Sequence, residues 1–344
     1  MFKVGIIGAT GYVGAELVKL LLNHPKVKIE AISSVSYEGE PLSSIYKNFY
    51  GATNLICENQ NDVINKCDII FAALPHGLSE EIAEIVYKKN KIFIDLGADF
   101  RLINEEDYKK WYGKDFLHKD LHKYSIYALP EHNREKIKEH KIIANPGCYP
   151  TSIELGLMPL LKNSLIELNN IICDSKSGAT GAGRGLSSKT HYPELSENFA
   201  AYGIGSHRHT PEIEQCLTDI AEEEVNITFT PHLLPINRGI LSTIYCTPKQ
   251  KINIEEIHDL YCNFYKNEPF VNILPLGDIA CIKDVKYTNN CNISIHLNHR
   301  GNGLIIVSTI DNMIKGAAGQ AIQNMNILLG LEETDGLKLV AWGN

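Results

Sequence analysis

The first 34 residues narrow the fold more than any other stretch. Lys3-Val-Gly-Ile-Ile-Gly8 is a short, almost continuous apolar run, which reads as a strand buried on both faces. Gly8, Gly11 and Gly14 follow in a G-x-x-G-x-x-G spacing, with Thr10, Tyr12 and Val13 between them. Residues 15–23 have helical spacing, Pro25 stops that helix, and Val27 to Ile32 reads as a second strand. Strand, glycine loop, helix, strand is the opening of a doubly wound α/β domain of Rossmann type. It is also the context that a dinucleotide fingerprint requires. Glycines let the backbone turn tightly and approach a pyrophosphate at a helix N-terminus. Alone, such a triplet means a tight turn; between these elements it points to nucleotide binding. Ser33 and Ser34 stand where an NAD site usually has Asp or Glu for the ribose. Hydroxyls there can donate to a 2′-phosphate, so the expected cofactor is NADP.

The alternation continues. Asp68 to Leu74 is expected to be a buried strand, and Pro75-His76-Gly77 the loop that faces the cofactor from its carboxyl end. Ser79 is the expected N-cap of the next helix, with Glu80 and Glu81 favourable in its first turn. Lys91 to Leu96 is a further strand, leading into Gly97-Ala-Asp99-Phe-Arg101. Arg101 at a strand's carboxyl end is a candidate clamp for an anion; the bland reading is a surface ion pair. His118 and His122 have no third ligand in view and are read as solvated. Tyr124 to Leu129 and Lys141 to Ala144 are strands on either side of a polar helix after Pro130. Such alternation implies a parallel sheet covered on both faces.

At Asn145-Pro146-Gly147-Cys148 the pattern changes. The turn residues and Pro150 set Cys148 at or just before a helix N-terminus, with a helix body marked by Ile153, Leu155, Leu157, Leu160 and Leu161. A helix start favours a thiolate, and its N–H groups can hold an oxyanion. Most cysteines are small buried hydrophobes, and the chain has nine. They are dispersed, with no C-x-x-C pair or zinc spacing, which points to a reducing compartment rather than a disulfide or metal framework.

The second half reads as α+β with a mixed or antiparallel sheet: strands at Ile166 to Asp174, Asn226 to Pro231 and Ile240 to Thr247, and a hairpin over Asn292 to Ile310. A Gly/Ser-rich loop covers Ser175 to Ser188 and holds Arg184. His207-Arg208-His209 precedes a helix start at Pro211-Glu212. Either imidazole can serve as acid/base, with a lean to His209 beside the helix start. Arg184 and Arg208 can bind phosphate or carboxylate. A last helix opens at Asp311-Asn312 and reaches about Leu329, with small residues at 316–319 suited to close packing.

The motifs carry a resemblance that runs nearly the length of the chain. Asn-Pro-Gly-Cys-Tyr-Pro-Thr (145–151) is similar to the active-site signature of the N-acetyl-γ-glutamyl-phosphate reductase family of arginine biosynthesis. Also similar are residues 8–17, Ala-Leu-Pro-His-Gly (73–77), Gly-Ala-Asp-Phe-Arg-Leu (97–102) and Leu-Pro-Glu (129–131). His-Arg-His-Thr-Pro-Glu-Ile (207–213) and residues 311–321 complete the set in the family's order. The resemblance implies a fold like that of aspartate-semialdehyde dehydrogenase. A nucleotide domain of residues 1–147 plus 313–344 would accompany a catalytic and oligomerising domain of 148–312. It implies NADPH, no metal, and a homodimer or homotetramer. Pro75, Ser177, Gly178 and Asn312 would lie near the cofactor, the last three around the nicotinamide. Asn145 and Glu212 would join the arginines around substrate. Cys148 would attack an acyl phosphate and carry a thioester while hydride arrives. The aminoadipyl and aspartyl phosphate reductases are the nearest alternatives, and a non-catalytic NADP-binding regulator is the alternative of another class. A net charge of −8 argues against a nucleic-acid partner, no apolar run approaches a membrane span, and a strand starting at Lys3 leaves no room for a targeting peptide. A cytoplasmic enzyme is expected.

Overall fold

In the computed structural model, which describes residues 1–341, the strands gather into two seven-stranded sheets. The chain divides into two compact units, one of Met1–Pro146 with Ala317–Lys338, the other built on Gly147–Gly316. Residues 342–344, at the end of the expected nucleotide domain, lie outside the described residues.

The first unit holds β1 (Phe2–Ile7), β2 (Val27–Ser33), β3 (Cys57–Glu58), β4 (Ile69–Ala72), β5 (Ile92–Asp95), β6 (Ser125–Tyr127) and β7 (Ile142–Ala144). Their order is β3-β2-β1-β4-β5-β7-β6, and every pairing is parallel. The chain leaves β1 toward β2 and later returns on β1's other side at β4, so the strand order reverses between β1 and β4. At that point the carboxyl ends of an open α/β sheet form a crevice. Val4, Ile6, Ile70, Phe71, Phe93, Ile94, Ile142 and Ile143 are fully buried, as strands covered on both faces require. Helices α1 (Tyr12–Leu21), α2 (Gln60–Lys66), α3 (Ser79–Lys88), α4 (Glu105–Tyr112) and α5 (Pro130–Ile137) connect them.

In the second unit, β8 (Ile171–Gly178), β9 (Ala200–Ala201), β10 (Ile227–Leu234), β11 (Ile240–Cys246), β12 (Val271–Ile273), β13 (Cys291–Leu297) and β14 (Leu304–Ile310) follow the order β12-β13-β14-β11-β8-β10-β9. The sheet is mixed: β8 with β10 and β12 with β13 are parallel, and the remaining pairs are antiparallel. Its central strands alternate buried with half-exposed residues, the pattern of a sheet covered on one face. Helix α6 (Cys148–Lys162) packs on that covered face beside α7 (Thr210–Ala221) and α8 (Ile254–Tyr265). Pro159 lies inside α6 and has no N–H for the Leu155 carbonyl. The Tyr265 hydroxyl takes that place, donating to Leu155 O at 2.6 Å, while Tyr261 donates to Gly156 O at 2.6 Å. A Cβ at Gly156 would lie 2.8 Å from Ile244 Cδ1, so this glycine lets α6 approach β11. The chain then rejoins the first unit with α9 (Gly319–Leu328).

Four expectations need correction. The strand read at 166–174 begins at Ile171 and runs on to Gly178, because the chain bends at Leu168-Asn169 before it and alternation persists through the Ser/Gly residues. Ser79 is not an N-cap: Leu78 holds that position without a side-chain bond, and the Ser79 hydroxyl donates to Asp95 at 2.7 Å. His122 is not solvated; its ring stacks on Phe116 at 3.6 Å and faces the buried Glu80 carboxylate. The C-terminal helix does not open at Asp311, since a wide π turn over Ile314–Ala318 comes first.

Candidate active site

In the first unit the glycine loop is shaped by contacts that only glycine permits. Gly8 has φ +83°, and a Cβ there would lie 2.4 Å from Ala73 O on the exit of β4. A Cβ at Gly14 would lie 2.2 Å from Gly8 O, so α1 starts hard against the loop. Gly11 is the N-cap of α1, with Tyr12 exposed and Val13 half-buried beside it. The amides of Gly8 and Ala9 donate to Ser33 O, and the Thr10 and Ser34 hydroxyls lie 2.7 Å apart. Thr10, Ser33 and Ser34 are therefore buried together where β1 and β2 end.

On the other side of the crevice, Pro75 is exposed in the turn that leaves β4. Asp99 anchors this turn. Its carboxylate accepts Gly77 N–H at 2.5 Å, Ser79 N–H at 2.8 Å and the Tyr108 hydroxyl at 2.9 Å. Burial, with Asp99 beside it, raises the Asp95 carboxyl above the usual range. Arg101 is buried and turned inward; its Nε donates to Asn145 O at 2.9 Å and Nη2 to Leu96 O at 3.0 Å. Asn145 is fully buried, and its side chain reaches Ala317 O and the Asn324 amide. Both residues brace the ends of β5 and β7.

In the second unit, Cys148 is the first residue of α6, with Gly147 as N-cap, and it is partly exposed. The fully buried Glu212 carboxylate accepts Gly147 N–H at 2.7 Å, which fixes the helix start from α7. Gly316, in the π turn, stands behind the cysteine: a Cβ there would lie 2.7 Å from Cys148 Cβ. Asp311 holds this turn, its carboxylate accepting Met313 N–H at 2.8 Å and Tyr287 N–H at 2.7 Å, its carbonyl Gly316 N–H at 3.0 Å.

Tyr149 links the helix start to the histidine pair. Its ring lies edge-on to His207 at 5.7 Å and to His209 at 6.0 Å, and its hydroxyl is 3.0 Å from that of Tyr202. His207 is boxed by Tyr149, Tyr202, Phe229 and His209. Burial, and then the Arg208 charge, pushes it down to about 4. Its Nδ1 accepts His209 N–H at 3.1 Å, which leaves Nε2 to carry the ring proton. His209 is the N-cap residue of α7, half-buried; Arg208 and Arg184 are exposed. Ser177, Gly178 and Asn312 form a second group in this unit. Asn312 Oδ1 accepts Gly239 N–H at 2.7 Å and its amide donates to Thr180, while a Cβ at Gly178 would strike Arg238 N at 2.7 Å. Among the described residues, no group of three or more His, Cys, Asp or Glu side chains could hold a metal.

Sequence reasoning did not give Asp99, Asp311 or Tyr202 a part in either group, and it saw in Gly316 only a small packing residue. Contacts between distant segments carry no local spacing signal.

Comparison with known proteins fits this arrangement. Residues 3–140 match the semialdehyde dehydrogenase NAD binding domain, and residues 148–312 the semialdehyde dehydrogenase dimerisation domain. A protein of Clostridium beijerinckii named N-acetyl-gamma-glutamyl-phosphate reductase is 68% identical over 99% of both chains. One of the same name from Clostridium botulinum is also 68% identical over 99% of both. In fold, the chain is similar to aspartate semialdehyde dehydrogenase II of Vibrio cholerae, with a TM-score of 0.75 at 17% identity over 96% of this chain and 98% of that one. The chain belongs to the N-acetyl-γ-glutamyl-phosphate reductase family of semialdehyde dehydrogenases, and it is an oxidoreductase.

Proposed function

We propose that this chain reduces N-acetyl-γ-glutamyl phosphate to N-acetylglutamate 5-semialdehyde, releasing phosphate, through a thioester on Cys148. The observation that carries the reading is a partly exposed thiol on the first residue of α6, backed by Gly316 and flanked, through Tyr149, by two imidazoles. First-turn amides lack intrahelical acceptors, so a helix start offers donors to the oxyanion formed when sulfur attacks the acyl carbon. Phosphate leaves as the tetrahedral adduct collapses to the thioester. NADPH, when bound, supplies the hydride that reduces this thioester. Cys148 then departs as thiolate and frees the aldehyde.

His209 is assigned as the acid/base that takes the thiol proton and returns it. His207, held neutral inside its ring box, is the better positioning group. Arg184 and Arg208, both exposed, are assigned to the substrate's anionic groups. Glu212 keeps the α6 start in place, and Arg101 and Asn145 are assigned to bracing the strand ends rather than to substrate. Gly8, Thr10, Gly11, Tyr12, Val13 and Gly14 suit a pyrophosphate, because the loop presents backbone at a helix start. Hydroxyls rather than a carboxylate at Ser33 and Ser34 favour NADP, since an acid would repel a 2′-phosphate. Pro75, Ser177, Gly178 and Asn312 complete the assignment around the cofactor. The nucleotide is assigned to the unit of Met1–Pro146 with Ala317–Lys338, and the chemistry to the unit built on Gly147–Gly316.

The chain is assigned to a homodimer or homotetramer in the cytoplasm, built through the second domain. The outer face of its sheet still exposes Ile172 and Tyr245. No helix among the described residues is long and apolar enough to cross a membrane. Reverse assays test the substrate: phosphate-dependent reduction of NADP is expected with N-acetylglutamate semialdehyde. A preference for aspartate semialdehyde or a carrier-linked aminoadipate semialdehyde would overturn the assignment.

A further inference from the structure

We propose that Asp99 is a positioning residue for the dinucleotide, holding the 75–79 turn in the shape that receives it. The inference rests on the nucleotide reading above and adds a residue to it. Asp99 is fully buried. Its two oxygens are spent on Gly77 N–H, Ser79 N–H and the Tyr108 hydroxyl. Two of these three donors are backbone amides of one turn, and that turn leaves β4 at the point where the strand order reverses. The turn is also locked from below, where Ala73 N–H donates to Ile7 O at 2.9 Å and Gly8 leaves no space for a side chain against Ala73 O. The glycine loop and this turn are thus the two lips of one crevice, and Asp99 fixes the second lip.

A simpler device was open to the sequence. A Ser, Thr, Asp or Asn at position 78 would cap α3 locally. Leu78 is found instead, about half exposed, with Pro75 exposed beside it. Pro75 and Leu78 expose apolar surface on this lip, the Lys114 ammonium lies over Gly77, and the polar support of the turn comes from behind, across 20 residues of chain. Ser79 is held twice, by Asp99 through its amide and by Asp95 through its hydroxyl, so the turn has little freedom to swing away. A carboxylate accepting several N–H groups holds them more firmly than a neutral acceptor would.

Equilibrium titration of the full-length protein with NADPH, without acyl substrate, tests this. Asp99→Asn places an amide donor against at least one of the three donors. The NADPH dissociation constant is expected to rise about tenfold or more. At saturating cofactor, kcat and the alkylation rate of Cys148 should stay within about twofold, a split that general unfolding would not produce. An unchanged dissociation constant, or a fall in kcat alone, overturns the proposal. Hydrogen exchange of the cofactor-free wild type gives a second reading that needs no variant: the Gly77 and Ser79 amides should be protected, and exchange at open-loop rates overturns the assignment. Failure of the wild type itself to bind NADPH would instead defeat the nucleotide reading and take the proposal with it.

Discussion

In the proposed mechanism, Cys148 and the two histidines have separable tasks at the scale of single residues. Cys148→Ser should lower turnover at least about 10³-fold while leaving NADPH affinity unchanged, because the sulfur makes and breaks the acyl bond but holds no cofactor. Steady-state kinetics beside a binding titration check both halves of this prediction, which follows from the proposed thioester mechanism. His207 makes a pH prediction. Its proton affinity is pushed down to about 4 in the folded chain, against about 6.5 when unfolded. Between those values the unfolded chain binds the extra proton, so stability falls as pH drops from about 6.5 to about 4, by about 3 kcal/mol at most. His24, also lowered by burial, acts in the same direction. Melting curves across this window should show a shallower loss in His207→Asn than in the wild type; parallel slopes would contradict the assignment. The cysteine was legible from sequence because its signal is local: Asn-Pro-Gly forces the turn and Pro150 suits the helix start. The burial of His207 was not, since it depends on the ring box that Tyr149, Tyr202 and Phe229 bring from three separate elements.

Elements explain why the thiol sits where it does. Helix α6 is gripped at its start by Glu212 from α7, in its middle by Tyr261 and Tyr265 from α8, and behind its first residue by the π turn. Wide helical turns of this kind recur at functional sites. Gly316→Ala should force a shift of Cys148, because the new methyl would lie 2.7 Å from its Cβ. A misplacement of this order costs about 10²-fold in rate. Steady-state kcat, with NADPH affinity as the control, checks it; an unchanged kcat would show that the turn is mere packing. The small residues at 316–319 suit close packing, and for Gly316 the structure shows the partner, Cys148. The expected N-cap at Ser79 failed for an instructive reason: capping by Asp99 is tertiary, and no nearest-neighbour rule finds a partner 20 residues away. The expected anion clamp at Arg101 shows the same limit, since the residue type alone does not say that its donors already serve two strand-end carbonyls.

For the whole molecule, fold class followed from periodicity. Near-continuous apolar runs gave the parallel sheet, and alternating ones the mixed sheet. Short edge strands such as β3 and β9 left weaker patterns and came only with the structure, whereas α8 carries an Asn253 cap, an acidic first turn and Ile257, Tyr261 and Tyr265 on one face, a legible pattern that the sequence reading passed over. The whole account asks the first unit to hold the nucleotide and the second to hold the acyl group. It stands or falls on covalent chemistry at a single sulfur. The decisive measurement is to incubate the protein with N-acetylglutamyl phosphate in the absence of NADPH, then digest it and locate the adduct by mass spectrometry. The account predicts one acetylglutamyl group on the peptide bearing Cys148, lost when NADPH is added. An adduct on Cys67, Cys173 or any other cysteine, or turnover with no acyl-enzyme, would contradict it.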